Sequence, residues 1–405
     1  MNQPVGTAQA SQRRRRRRWP IVTVASVMVL AAVFYLGGGW YFSDYLYQHA
    51  LSGAAKRAAK PTYNLSVTAV TAGTVTLRVP ADPGQLLTPG EWGIQWPTGY
   101  GQVTRIVAAG HGTVTRDFRQ VTGAPLVAGT RVALDNRAFP NNPSVGLEMP
   151  VHDVAYQGPL GSYPAWFVPG PRDTWAILLH GNSMDRLDTA KIVPTLHRLG
   201  LPVLMISYRN DAAAPQDPSR MLRYGQTEWQ DLAAAVQYAL SHGAHSVVLV
   251  GYSMGGGIAA SFLERSPLAP RVSGVILDSP MLDFSQAVDL GASKQRLPLV
   301  GLPLPRSLTG VAKWIAGWRY GVDWSSLDYL KGAARIHAPI LLFQGTADQT
   351  VPAATSDELA RTARDVTYVR VRGADHLDAW NLDPSRYDAA VQAFVNRVLG
   401  PSAAA

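Results

Sequence analysis

The sequence predicts an α/β fold, a mostly parallel sheet covered by helices on both faces, preceded by a membrane-spanning helix and a small all-β module. Three observations predict it. From about Met149 short apolar runs alternate with amphipathic segments. Residues 61–145 carry β-branched runs broken by glycine turns, and the 25 residues from Trp19 to Ser43 contain no charge.

The uncharged run comes first in the chain. A helix needs ~20 apolar residues to cross the hydrocarbon core, so this segment is long enough to span. Arg13 to Arg18 form an unbroken block directly before it, against Lys56, Arg57 and Lys60 further away on the other side. By the positive-inside rule residues 1–18 are a cytoplasmic tail, 19–43 an anchor, and everything beyond lies outside the cell membrane. A secreted protein with a cleaved signal peptide is the alternative, with the small residues near Ser52 to Ala55 as the cleavage site. The net charge of +9 does not imply nucleic acid, because the arginine block accounts for six of the nine and leaves an ordinary surface. Those arginines meet anionic lipid instead. The chain has no cysteine, so it contains neither disulfides nor a thiolate metal site.

Residues 44–60, with Ala, Ser, Gly and Lys concentrated from position 48, read as a stalk. In the module that follows, Leu65 to Val79 and Val103 to Phe118 each read as two strands joined at a glycine turn, with further strands near Gly93 to Gln95 and Gly129 to Leu134. Its single histidine, His111, lies between glycines and reads as a solvated turn residue. Trp92 and Trp96 could form a recognition surface, although core packing is the commoner fate of tryptophan in such a module.

In the region 149–400, Val151 to Tyr156 and Ala165 to Val168 form a leading hairpin. Strands are expected at 176–179, 202–208, 246–250, 272–277, 340–343 and 366–371, and helices at 189–199, 228–240, 258–263, 356–363 and 387–399. Buried parallel strands of this kind gather ligands at their carboxyl ends. The residues able to do chemistry fall there. Gly251-Tyr252-Ser253-Met254-Gly255 follows the strand 246–250 and opens a helix. The glycines permit a sharp turn that lifts the Ser253 hydroxyl above the sheet. A hydroxyl needs a base to take its proton, and the base needs a carboxylate to orient it. Asp348 follows the strand 340–343, and His376 follows 366–371. Asp278, after 272–277, is the rival acid. His180 supports its own loop, His337 precedes its strand and lies at the wrong end, and Asp375 caps the loop beside His376, where Trp380 packs.

With its order of serine, aspartate and histidine, residues 149–400 resemble the α/β-hydrolase family of serine hydrolases, which includes esterases, lipases and serine aminopeptidases. The segment Ser207-Tyr208-Arg209-Asn210 and the Ser253 elbow are similar to microbial esterase and peptidase-like members. The resemblance implies a catalytic triad of Ser253, Asp348 and His376. It implies also an oxyanion hole made by the backbone N–H groups of Met254 and Asn182, the latter in a His180-Gly181-Asn182 loop like the family's. It further implies a cap inserted over the active site, here residues 284–338, which contain Trp314, Trp318 and Trp324. Those tryptophans could equally be packing residues on the sheet.

These residues lead us to expect a membrane-anchored serine hydrolase acting on a small-molecule or lipid-like acyl ester through an acyl-enzyme, with no cofactor or metal required and no nucleic-acid partner. A peptidase, an aminopeptidase holding a substrate amine on cap acids such as Asp289 and Asp323, or an acyltransferase would use the same triad. A non-catalytic surface scaffold is the alternative from another class.

Overall fold

The computed structural model describes residues 8–53, 61–298 and 301–401, and of residues 8–22 the backbone alone. The arginine side chains at 13–18 and stalk residues 54–60 lie outside that description. The described chain falls into two units, one of residues up to 50 with 291–323, and one of residues 51–290 with those from 324 onward.

The larger unit holds a barrel and a sheet. The barrel is closed and antiparallel, with strands β1 (Leu65–Thr71), β2 (Thr74–Arg78), β3 (Trp92–Trp96), β4 (Gly99–Gly110), β5 (Thr113–Gly123) and β6 (Arg131–Asp135) in the order β1-β2-β5-β4-β3-β6. The two glycine turns read from sequence are its hairpins: Gly73 has φ +83° between β1 and β2, and His111 and Gly112 have φ +50° and +74° between β4 and β5. His111 is exposed in that turn. Leu77, Val75, Ile94, Val103 and Val114 fill the interior with Trp92 and Trp96, so both tryptophans are core and neither is available for recognition. One guanidinium closes the barrel's core: buried Arg116 donates to the carbonyls of Leu86, Thr88, Gly90 and Thr104 at 2.6–3.0 Å. Burial lowers its pKa to about 10, still far above neutral pH.

The short helix α2 (Pro143–Leu147) leads to an eight-stranded sheet of β7 (His152–Gly158), β8 (Gly161–Val168), β9 (Thr174–Leu179), β10 (Val203–Ile206), β11 (Ser246–Tyr252), β12 (Val272–Asp278), β13 (Ile340–Gly345) and β14 (Val366–Val371). Its order is β14-β13-β12-β11-β9-β10-β8-β7, parallel from β14 to β10, with the expected leading hairpin β7–β8 antiparallel at the edge. Helices α3 (Val193–Arg198), α4 (Trp229–Ser241), α5 (Met254–Arg265), α6 (Phe284–Ser293), α8 (Ala353–Thr362), α9 (Ala379–Leu382) and α10 (Pro384–Leu399) complete the unit, α6 running across its boundary at 290/291. β9, β10 and β13 are buried at every position, as strands covered on both faces must be. The helix expected over 189–199 begins as a 3-10 turn, Arg186–Ile192, because Pro194 favours a helix start at its own position.

In the smaller unit, α1 (Ala8–Leu46) is a single helix that includes the uncharged run, and it is long and apolar enough to cross a membrane. Here α7 (Arg306–Tyr320) packs along it. Two sequence expectations are corrected. The stalk does not begin at 44: α1 continues to Leu46, a π-helical turn covers Tyr47–Leu51, and Leu51 is buried with its carbonyl accepting from Leu222 N at 2.7 Å. Leu51 is thus packed at a position that composition assigned to a spacer. The insertion 284–338 is not one cap but is divided, since residues 291–323 belong with α1 and the flanking parts with the sheet.

Candidate active site

β11 is apolar and sits near the middle of the sheet, paired with β9 through Val250↔Leu178 and with β12 through Val250↔Ile276. The chain leaves it through Ser253, whose φ of +50° and ψ of −115° are unfavourable for any residue with a Cβ, at a cost of ~1–3 kcal/mol. Surrounding bonds hold the strain: Ser253 N donates to Asp278 O at 3.0 Å, while Ser253 O accepts from Gly256 N at 2.9 Å and Met281 N at 2.8 Å. The glycines are sterically required. A Cβ on Gly255 would lie 2.3 Å from the Leu179 carbonyl oxygen, and one on Gly251 would lie 2.7 Å from that of Gly255.

Two further strand ends bring groups to this corner. Ser253 Oγ lies 2.9 Å from His376 Nε2, and His376 Nδ1 lies 2.9 Å from Asp348 Oδ2. Asp348 Oδ1 accepts from the backbone N–H groups of Thr350 and Val351, each at 2.8 Å, and Gln344 Nε2 donates to its Oδ2 at 3.0 Å. Burial pushes the Asp348 pKa up, but the bond and charge of His376 with those backbone donors outweigh it and hold the carboxyl below its ordinary value. An ionised Asp348 fixes the imidazole with Nδ1 protonated, which leaves Nε2 free to accept the serine proton. This arrangement can activate a hydroxyl for attack on an electrophilic carbon.

A family model described as the alpha/beta hydrolase fold matches residues 175–297. Residues 149–400 adopt the alpha/beta hydrolase fold. A second family model, a domain of unknown function, matches residues 66–135, the barrel. An uncharacterized protein of Mycobacterium tuberculosis, recorded in two strains, is 29% identical over 246 residues that cover 58% of this chain and 76% of that protein. Among solved structures, an esterase of Pyrococcus furiosus superposes with a TM-score of 0.51 at 20% identity, covering 65% of this chain and 98% of its own. A second crystal form of that esterase gives 0.50 at 19% identity, covering 65% and 95%.

Within the α/β-hydrolase domain, the rival acid Asp278 is off the imidazole: burial pushes its pKa up to about 6, and its Oδ1 accepts from Ser279 Oγ at 3.2 Å. Its carbonyl, not its carboxyl, reaches Ser253. His180 is fully buried, stacked on Tyr208, with Nε2 2.8 Å from Asp211 Oδ2, so it braces its own loop. Asp375 accepts from the backbone N–H groups of Gln349 and His376 at 2.8 Å and ties the two loops together, and Trp380 is buried beside them. His337 lies near Arg364, away from this corner. Met254 opens α5, where a backbone N–H has no acceptor within the helix. The loop of Asn182 is close by, since a Cβ on Gly181 would lie 3.0 Å from Ser253 Cβ.

Sequence reasoning missed the supports. Asn182 Nδ2 donates to Tyr224 Oη at 3.1 Å, Tyr224 stacks on Phe284 at 3.9 Å, and Phe284 stacks on Trp324 at 5.6 Å, so Trp324 ends a ladder that starts at the Asn182 loop. Arg209 is buried between Asp231 and Asp217 at 2.8 and 3.2 Å, which accounts for the arginine of the Ser207–Asn210 segment. The barrel reaches the segment that follows His376: Gln85 Nε2 donates to Asp378 Oδ2 at 2.8 Å, and Asn381 Nδ2 donates to the carbonyls of Glu91 and Asn136 at 2.7 and 2.9 Å. Lys191 donates to Asn381 Oδ1 at 2.5 Å, its pKa lowered by burial. No spacing in sequence announces these partners, whose separations run from 8 residues for Arg209 and Asp217 to 293 for Gln85 and Asp378.

Proposed function

We propose that the protein is a membrane-anchored serine hydrolase that cleaves carboxylic esters through an acyl-enzyme. The observation that carries this reading is the unbroken hydrogen-bonded series from Ser253 Oγ through His376 to Asp348, built on a strained serine. Ser253 Oγ attacks the ester carbonyl as His376 Nε2 takes its proton. The resulting tetrahedral oxyanion is received by the backbone N–H groups of Met254 and Asn182. His376 then protonates the leaving alkoxide, and an acyl group stays on Ser253. Water, deprotonated by His376, attacks that acyl carbon, and the acid leaves with Ser253 restored. Asp348 keeps the imidazole oriented and stabilises its charge in both halves. The choice of ester over amide follows the Pyrococcus furiosus esterase with which the domain shares its fold. The anchor is α1, with the arginine block holding its N-terminus in the cytoplasm and the rest of the chain outside.

The test is turnover of a series of p-nitrophenyl esters of increasing acyl length by the full chain in detergent. Wild type hydrolyses at least one member and Ser253→Ala none. Equal rates for the two proteins remove Ser253 from the chemistry, and a folded wild type inert to every ester favours the scaffold reading.

A further inference from the structure

We infer that α7 is a membrane-interface arm: its exposed face seats Trp314 and Trp318 in the boundary between headgroups and acyl chains of the bilayer that α1 crosses. The inference rests on the reading of α1 as an anchor. It begins with the way α7 is held. Gly39 gives α7 its close approach, because a Cβ there would lie 2.7 Å from Val311 Cγ1 and 3.0 Å from Ile315 Cδ1. Leu304, Leu308 and Ala312 pack with Phe42 in one buried cluster. Polar groups fix the register from end to end: Tyr35 Oη bonds Ser307 Oγ at 3.0 Å, Arg319 Nη1 donates to Ser43 Oγ at 2.9 Å, and Tyr320 Oη donates to Asp44 Oδ1 at 3.1 Å. The two helices therefore run parallel, with the start of α7 beside residue 35 and its end beside residue 44.

That register sets depth. Counting from Arg18 at ~1.5 Å per residue, a hydrocarbon core ~30 Å thick ends near residue 38 of α1. α7 thus starts just beneath the outer boundary and rises through the headgroup layer. Its outward face at that level carries Trp314 and Trp318, one helical turn apart and 67% and 74% exposed. Trp40 and Tyr41 of α1 are exposed at the same height, 49% and 53%. Indole and phenol side chains concentrate at this depth, where an apolar body meets a wet edge. The cations agree: residues 291–323 hold Lys294, Arg296, Arg306 and Lys313, besides Arg319, which pairs with Asp44 at 3.5 Å, against a single acid, Asp323, a balance suited to phospholipid phosphates. The turn preceding α7 pairs backbone groups across itself, Leu297 N donating to Leu302 O at 2.7 Å and Leu304 N to Gln295 O at 3.1 Å, and presents exposed Leu302 at this depth. A water-facing arm would have no use for two bare indoles on this stripe.

The native chain has no cysteine, which makes the test clean. Full-length Val29→Cys, Trp314→Cys and Trp318→Cys are each labelled with an environment-sensitive fluorophore and placed in nanodiscs of equal parts phosphatidylcholine and phosphatidylglycerol. Quenching is measured with aqueous iodide and with lipids nitroxide-labelled near the headgroup or deep in the acyl chain. Labels at 314 and 318 should lose most of the iodide quenching that the same dye shows on a small thiol in buffer, and should be quenched most by the shallow nitroxide. The label at 29 should respond most to the deep one. A deep label at 29 with iodide-accessible labels at 314 and 318 overturns the arm and leaves the anchor standing. An iodide-accessible label at 29 removes the anchor and the arm together.

Discussion

The barrel interior and the carboxyl edge of the large sheet both bury polar side chains, and they do so in opposite ways. In the barrel, every bond that Arg116 makes goes to a backbone carbonyl of its own module. Its charge is enclosed by fixed dipoles, and no proton has anywhere to go. At the sheet edge the partners are side chains in series, Asp348 to His376 to Ser253, ending on a hydroxyl at a strained corner, with His376 17% exposed. Burial alone therefore does not mark a reactive group. Under the proposed function, what marks it is a chain of partners that reaches solvent.

The sharpest way to break this contrast is to remove the terminal hydroxyl. Ser253→Ala should lower kcat by about four to six orders of magnitude while thermal unfolding moves little, since relief of the strained serine is absent and only one hydrogen bond is lost. A folded mutant with turnover near wild type breaks the contrast at its strongest point. Asp348→Asn should cost about 10^4-fold in kcat, because the amide no longer holds the imidazole with Nδ1 protonated. Steady-state kinetics on the purified variant measures it. Arg116→Met should do the reverse, leaving several carbonyls unpaired and costing ~3 kcal/mol in barrel stability by chemical denaturation, with kcat per folded molecule unchanged. A loss of kcat without a loss of stability would give Arg116 a role at the site.

The smallest effect separates two carboxylates that sequence left in competition. Asp348 is held below its ordinary pKa, so its ionised form adds stability above the unfolded value near ~4, and that contribution fades as pH falls through the lowered folded value. Asp278 is pushed up to about 6, so its contribution is present below the unfolded value and is lost as pH rises through about 6. Melting curves across pH should show Asp348→Asn costing most at neutral pH and Asp278→Asn costing most in acid. Parallel pH profiles would mean that the two sites do not differ electrostatically.

The sheet and the corner at Ser253 were legible in sequence because each rests on short-range pattern. Strand β11 is an apolar run, the glycines follow at once, and Asp348 and His376 sit directly beyond their own strands. Most supports were not legible because their partners are remote: Gln85 meets Asp378 and Asn381 meets Glu91 across 293 and 290 residues of chain, and Arg209 meets Asp231 through a buried pair that local composition does not mark. The insertion was misread for the same reason. An amphipathic pattern over Arg306–Tyr320 shows that one face is buried but not what covers it, and its cover is α1, some 270 residues earlier, at glycines that read as part of an apolar span. Leu51 shows the limit of composition in the other direction, a buried side chain at a position that composition assigns to a spacer.

The measurement that bears most directly on the central claim is covalent labelling of the full chain by a fluorophosphonate probe, with the modified residue mapped by mass spectrometry and His376→Ala run alongside. A single adduct on Ser253 is expected in the wild type and little or none in His376→Ala. An unlabelled wild-type protein that is demonstrably folded, or an adduct that forms equally well without His376, would contradict it.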